Sequence, residues 1–268
     1  MTQFHLFEFL PLWGIFLLIL FIVLFSAWLG IRIARSRKRH LKPDEDEGPI
    51  DAAVNATLGL LAFILAFTFG LTASRYDSRK QLFLDEVTAI ETVAQRAELI
   101  PEPHRSQVRE LLHNYVELRL DFPRDRAAVW DRIKQSEELQ KQIWPHAAAL
   151  ANADLKNADI VSLFVDSVND MTNVQTRRVT IGSSHIPSLV WFVLFGVTIL
   201  SMLEVGYLFG KATRVNWLFL ISLCLAFSAV MVLIADLDRS GAGTTGAITI
   251  DTQPMLDMHR RVFGDHAK

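Results

Sequence analysis

The side chains that most often catalyse reactions or bind metals are thinly spread along this chain of 268 residues. Among its eight histidines, no two stand four residues apart, so none forms a metal-binding pair on one helix face as in HExxH. The nucleophile motif GxSxG and the Walker phosphate loop are also absent. We therefore predict that the protein is not an enzyme and has no cofactor. We also expect no zinc site, because zinc ligands would have to gather from distant segments.

Two aspartates near the C-terminus resemble the beginning of a calcium-binding loop. Asp236 and Asp238 stand at the first and third positions of the segment DLDRSG. Such a loop needs a bidentate glutamate at position twelve, and that position is Ala247 here. Asp236 and Asp238 are therefore only weak candidate metal ligands. The alternative is a polar helix end at the membrane face, where the glycines form a turn.

Glu204 is an ionisable residue inside a strongly apolar run. A carboxylate in that position is costly unless it is paired, hydrated or close to the membrane interface. One interpretation is an ion pair with Lys211 or Arg214, in the connector that follows. The other is a place on a water-filled path that cations or protons could use.

These residues must be positioned by the larger elements of the chain. Hydrophobic residues make up 51% of the sequence, and they are concentrated in four long apolar runs. Each run has about the 20 residues that a helix needs to cross a bilayer. The predicted membrane helices are residues 10–33, 54–74, 186–209 and 217–236. Between them lie a charged connector at 34–53 and a soluble helical domain at 75–185, followed by a C-terminal tail at 237–268. The predicted fold is all-α, with two pairs of membrane helices flanking a helical domain.

The predicted helical domain has apolar residues at helical spacing and no alternating strand pattern. Prolines are expected to break its helices or to occupy their first turns, at positions 101, 103, 123, 145 and 187. This predicts four or five helices. The tail is too short to be a domain, so we expect it to pack on the helical domain or on a neighbouring subunit.

The distribution of charge bears on partners and on orientation. A net charge of −2 gives no indication of a nucleic-acid partner. Basic residues directly after the first membrane run mark the connector 34–53 as cytoplasmic, which places the helical domain outside. Basic residues near the membrane ends of that domain favour the opposite orientation: Arg75, Arg79, Lys80, Arg177 and Arg178.

The second membrane run carries an unusual pattern of small and aromatic residues. At about 100° per residue, its small residues fall on one narrow face, where they would allow close helix packing. They are Asn55, Gly59, Ala62, Ala66, Gly70 and Ala73. Phe63 and Phe67 lie one turn apart beside that face, whereas Phe69 points elsewhere. The two rings could face lipid or a neighbouring helix, or they could surround a central axis and gate it by dewetting.

This run resembles the second membrane helix of the bestrophin channels. In that family an apolar neck is built from three residues at i, i+4 and i+8, and the last stands eight residues before an arginine followed by an aromatic residue. Here Arg75-Tyr76 supplies that pair, Arg79-Lys80 continues the basic run, and counting back gives Phe67, Phe63 and Gly59. Gly59 departs from the pattern because it has no side chain to form a ring.

The chain is also similar to the bacterial bestrophin-like family, through the segments AFTFGLTASRYDSRKQLFLDEVTAIET and DLDRSGAGTTGAI. The resemblance implies a multi-pass protein of the bacterial cytoplasmic membrane that forms a homo-oligomer, with five subunits expected. It also implies passive conduction of small inorganic ions, with anions favoured. Arg75, Arg79 and Lys80 are expected to concentrate anions at the pore mouth.

Two other functions remain compatible with the sequence. The first is a non-conducting membrane scaffold or sensor whose helical domain binds a partner. The second is a cation or proton pathway through Glu204.

Overall fold

A computed structural model describes residues 10–38, 48–121, 126–153, 158–182, 184–212, 214–240 and 247–264. Within these ranges the chain forms eight α-helices and no β-strand, which confirms the all-α prediction. The helices are α1 (Leu12–Lys38), α2 (Gly48–Ala97), α3 (His104–Leu120), α4 (Arg126–Asn152), α5 (Ala158–Gly182), α6 (Ser188–Lys211), α7 (Trp217–Arg239) and α8 (Gln253–Phe263).

Four of these helices, α1, α2, α6 and α7, are long and apolar enough to cross a membrane. Helix α2 is the exception in length, with 50 residues. At about 1.5 Å per residue it extends far beyond a hydrocarbon core of about 30 Å. The apolar run at 54–74 is therefore one part of a longer helix, which continues through the charged segment that follows.

The described residues form two compact units. The membrane unit comprises residues 10–75, 185–239 and 247–248, and so contains α1, the first part of α2, α6 and α7. The extramembrane unit comprises residues 76–184, 240 and 249–264, and so contains the rest of α2, α3, α4, α5 and α8.

Helices α1 and α6 of the membrane unit approach each other closely because glycines face the partner backbone. A Cβ atom on Gly30 would lie 2.0 Å from the carbonyl oxygen of Leu203, and one on Gly206 would lie 2.0 Å from that of Ala27. Around this contact, α1 buries an apolar residue at every fourth position: Ile15, Ile19, Val23, Ala27 and Ile31. Small residues at the crossing thus bring the helices together, as is usual where lipid removes the hydrophobic drive for association.

The extramembrane unit has one apolar core to which all five of its helical segments contribute. Ile90 and Val93 come from α2, and Leu112 comes from α3. Ile143 from α4 and Phe164 from α5 complete the centre, and all five side chains are fully buried.

Two sequence predictions about this unit, on Pro145 and on the C-terminal tail, can be compared with the structure. The prediction that Pro145 breaks a helix is wrong, because Pro145 lies inside α4. Pro145 is exposed, whereas Ile143 and Ala147, two residues before and after it, are buried in the apolar core. This tertiary packing of α4 outweighs the one backbone hydrogen bond that proline cannot make. The tail packs on its own helical domain, where Met255 and Met258 of α8 are buried in the core.

Candidate pore-lining face and charged sites

Helix α2 has a clearly defined inner face within the membrane unit. Leu61, Leu65, Thr68 and Thr72 are buried, and their spacing places them along one side of the helix. The two hydroxyl groups donate to backbone carbonyls of the same helix, Thr68 to Ile64 at 2.7 Å and Thr72 to Phe69 at 2.8 Å. The polar atoms on this face are thereby satisfied, so it serves packing inside a single chain.

Phe63 and Phe67 lie on the opposite side of α2. At about 100° per residue they point away from the buried face. Their side chains are 68% and 58% exposed in the single chain, and their rings stack with centroids 6.5 Å apart and planes 16° apart. The chain thus presents two adjacent aromatic rings on an edge that its own helices leave uncovered.

The small-residue face of α2 is also uncovered. Asn55, Ala62 and Ala66 are exposed, and a Cβ atom built on Gly59 or Gly70 would meet nothing within 4 Å. Packing within the chain therefore does not require glycine at positions 59 and 70. Gly30 and Gly206, at the contact of α1 with α6, differ in this respect. Phe69 is 39% exposed and lies away from the Phe63 and Phe67 edge.

The three basic residues predicted for the pore mouth have different surroundings. Lys80 is exposed, and Arg75 is partly buried. Arg79 is only 4% exposed, and its guanidinium donates to the carbonyl of Ser240 at 2.5 Å and to that of Ser184 at 2.8 Å. The structure therefore corrects the position of Arg79. Its side chain binds the backbone of Ser184 and of Ser240 and does not face solvent.

Glu204 of α6 is half-buried, and its Oε2 atom has no hydrogen-bond partner within the described part of the chain. No ion pair joins it to Lys211 or Arg214 among those residues. The nearby Ser201 hydroxyl, one turn earlier on α6, is buried and also lacks a hydrogen-bond partner there. Among the described residues, two polar atoms on one face of this membrane helix, Oε2 of Glu204 and Oγ of Ser201, thus have no hydrogen-bond partner.

Asp236 and Asp238, the weak calcium candidates, accept hydrogen bonds from backbone amides. The carboxylate of Asp236 accepts from Ala247 at 3.2 Å and from Ile248 at 3.0 Å. Asp238 accepts from the amide of Ile186 at 2.9 Å. Both carboxylates are buried, and they fasten the chain at the end of α7. This use of their oxygens favours the polar helix end over a cation site.

The glycines of the same region match a letter pattern known from nucleotide-binding proteins. Residues 241–246 read GAGTTG, which matches GxGxxG. That fingerprint binds dinucleotides only where it follows a β-strand and opens a helix. Here it follows helix α7, and the six residues themselves lie outside the described ranges. The match therefore does not indicate a nucleotide site.

One buried ionic cluster was missed because its charge interrupts an apolar pattern. Glu86 of α2 is fully buried, and its carboxylate accepts from the Tyr115 hydroxyl at 2.5 Å and from Arg119 at 3.1 Å. Arg178 of α5 donates to the same carboxylate. Burial lowers the pKa of Arg119 and lowers that of Arg178 to about 10, so these guanidiniums depend on Glu86 for compensation.

A second cluster gathers potential metal ligands from distant segments of the chain. The fold brings His259 of α8 to His113 and Glu117 of α3, so that potential ligand atoms of all three lie within 4.8 Å of one another. The expectation of no zinc site rests on the spacing of histidines from one another. A His and a Glu four residues apart, as at 113 and 117, would have been the signal to look for.

Together, the four membrane-crossing helices, the helical extramembrane unit and the uncovered aromatic edge of α2 define an all-α, multi-pass membrane protein. The chain belongs to the bestrophin-like family: the family model for the Bestrophin-like domain matches residues 13–246. No curated protein gives a significant match to the sequence.

Solved structures of similar fold include a mutant of a bacterial bestrophin homolog from Klebsiella pneumoniae. It has a TM-score of 0.70 and 14% identity, over 91% of this chain and 97% of that chain. A second mutant of that homolog has a TM-score of 0.71 and 14% identity, over 93% and 99% of the two chains. A structure described only as a membrane protein has a TM-score of 0.67 and 15% identity, over 91% and 97%. At these identities the similarity establishes the fold.

Proposed function

We propose that this protein is an oligomeric ion channel in which Phe63 and Phe67 of α2 form an apolar neck around a central axis. The observation that carries the proposal is the uncovered edge of α2, where the two rings are 68% and 58% exposed and stacked on each other. Two large apolar rings on an uncovered membrane-helix face suit a pore that is gated by dewetting. Membership of the bestrophin-like family supports the same function.

Assembly of the channel would use the small-residue face of α2. Exposed Ala62, Ala66 and Gly70 allow a neighbouring helix to approach closely, which is a main source of association in lipid. Self-association through this face would leave the adjacent Phe63 and Phe67 edge directed toward the axis. Five subunits follow from the resemblance to the bestrophins. Because Gly59 adds no side chain, the neck would consist of two rings.

Anions are the proposed permeant ions, and the pore mouth would consist of Lys80 and Arg75. Exposed Lys80 and partly buried Arg75 stand at the polar end of the apolar run of α2. Positive charge at a pore entrance raises the local concentration of anions, and Asp77 and Asp85 partly offset that field. We also propose that the extramembrane unit lies on the outer side of the bacterial cytoplasmic membrane, because the basic connector after α1 favours the cytoplasm.

Replacement of the neck residues tests the channel. In liposomes containing the purified protein, Phe63→Ala and Phe67→Ala should each raise anion flux several-fold, because they widen and hydrate the constriction. Phe69→Ala is the matched control: it is on the same helix and has the same chemistry, but lies away from that edge, so its flux should equal that of the parent. The proposal would be wrong if the parent passed no ions or were a monomer or dimer. Equal effects of all three substitutions would also contradict it.

Glu204 supports a second candidate function, a pathway for protons or cations. Its Oε2 atom is buried without a hydrogen-bond partner among the described residues, and an ionisable group in that position commonly marks an ion or proton path. Glu204→Gln keeps the shape and removes the titratable charge, so it should abolish proton-driven or cation flux in liposomes. Proton or cation flux that persists unchanged in this variant would exclude Glu204 from that pathway.

A further inference from the structure

The cluster of His113, Glu117 and His259 has the composition of a transition-metal site. Potential ligand atoms of the three residues lie within 4.8 Å of one another, and the Nε2 atom of His113 is 3.8 Å from Oε1 of Glu117. The atoms that bind a tetrahedral zinc ion at about 2.0–2.1 Å are separated by about 3.3 Å. Modest side-chain rotation is therefore enough to bring three ligands onto one ion.

The histidine on α8 provides an independent indication of a ligand. His259 is only 8% exposed, and its Nε2 atom is buried without a hydrogen-bond partner among the described residues. Its ring packs against that of His113 with centroids 5.2 Å apart. A buried polar nitrogen without a partner is costly, and a metal ion bound at that nitrogen would remove the cost.

One side of the cluster is held by packing and hydrogen bonding, and the other side is open to solvent. Phe263 packs edge-on against the His113 ring at 5.3 Å, so an apolar group limits ring rotation. Arg109 of α3 donates to the carbonyl of Val262 at 3.0 Å, which holds α8 against α3 without any metal. The side chains of His113 and Glu117 are 35% and 61% exposed, so an ion can reach them from solvent.

The choice of metal follows from the ligand types. Calcium and magnesium prefer oxygen ligands, whereas two imidazoles and one carboxylate suit zinc and neighbouring transition metals. Three protein ligands leave the fourth tetrahedral position to a water molecule. We propose that His113, Glu117 and His259 form a zinc-binding site in the extramembrane unit, and that the bound ion cross-links α8 to α3. The proposal does not depend on whether the protein conducts ions.

Metal binding to the full-length protein tests the site. The detergent-purified chain is stripped with a chelator and dialysed against Zn²⁺, and the retained metal is measured. The parent should retain one zinc ion per chain. Glu117→Gln and His113→Gln should each weaken binding by about tenfold or more, because each removes a ligand. Both residues are partly exposed, so we expect both variants to fold, and circular dichroism checks this.

A second histidine pair in the same unit provides the control. The Nδ1 atoms of His104 and His146 lie 3.1 Å apart, and no third potential ligand joins them among the described residues, so His104→Gln should bind zinc as the parent does. In hydrogen exchange, zinc should slow the amides of α8 in the parent and in His104→Gln, but not in Glu117→Gln. The proposal is overturned if the stripped parent retains no zinc at micromolar concentration. Zinc binding that is unchanged in Glu117→Gln and in His113→Gln would also overturn it. Loss of zinc binding in His104→Gln would overturn it as well.

Discussion

At the scale of single residues, Glu86 is a fully buried charge with three side-chain partners. One fully buried carboxylate compensates two arginines and accepts a tyrosine hydroxyl, so three helices depend on it. The Arg178 guanidinium also lies over the Phe83 ring at 4.9 Å, which adds a cation–π contact. Such a network holds helices in one arrangement, and its energetic value lies mainly in the cost of breaking it.

Glu86→Gln should destabilise the protein by about 3–5 kcal/mol, because it removes the buried negative charge that accepts from both Arg119 and Arg178. Thermal or chemical unfolding of the full chain in detergent measures the effect. The matched control is Glu98→Gln, which breaks an ion pair with Arg109 whose side chains are both 49% exposed. That change should cost at most about 1 kcal/mol. Equal losses of stability in Glu86→Gln and Glu98→Gln would contradict the prediction that burial makes the Glu86 ion pairs costly to break.

At the scale of elements, the glycines of the membrane unit fall into two groups. Gly30 and Gly206 stand where α1 and α6 meet, and a Cβ atom on either would overlap the backbone of the partner helix. Gly196, also on α6, has nothing within 4 Å of the position where its Cβ atom would be. Only the first group is required by the contact between helices.

Gly206→Ala should therefore force α1 and α6 apart and destabilise the protein by about 1–3 kcal/mol or more. The measurement is thermal unfolding in detergent, with size-exclusion chromatography to check that the sample stays uniform. Gly196→Ala adds the same methyl group to the same helix where space is free, so its unfolding temperature should stay within a few degrees of the parent's. A similar loss in both variants would indicate a general intolerance of α6 to alanine.

At the scale of the whole molecule, the orientation in the membrane decides which compartment the extramembrane unit and its proposed zinc site sample. The basic connector after α1 favours an outer location, and the basic residues at the membrane end of α2 favour the opposite. One of those residues, Arg79, is buried and bound to backbone carbonyls, so it contributes little to this choice.

Labelling of an introduced cysteine should settle the orientation. Ser106→Cys places a thiol on the exposed surface of α3, and the native Cys224 is fully buried in α7, so background labelling should be low. A membrane-impermeant thiol reagent applied to intact spheroplasts should label the variant. Labelling that appears only after the membrane is opened would place the extramembrane unit in the cytoplasm.

The sequence by itself was enough to predict the four membrane helices, the helical domain and the family, because the length of an apolar run and helical periodicity are local properties. It also predicted from spacing that Phe63 and Phe67 share one edge of α2, and their role as a pore neck stays a prediction. Three features could not be predicted in this way. They are the burial of Arg79, the pairing of Glu86 with two arginines and the contact of His259 with His113. Each depends on residues that are distant in sequence, and no local pattern encodes which distant segments will touch. The place of Pro145 inside α4 has the same cause, since the burial of neighbouring Ile143 and Ala147 outweighs a local preference. Only the tertiary structure could decide these features, because long-range contacts fix which charges are buried and which ligands converge.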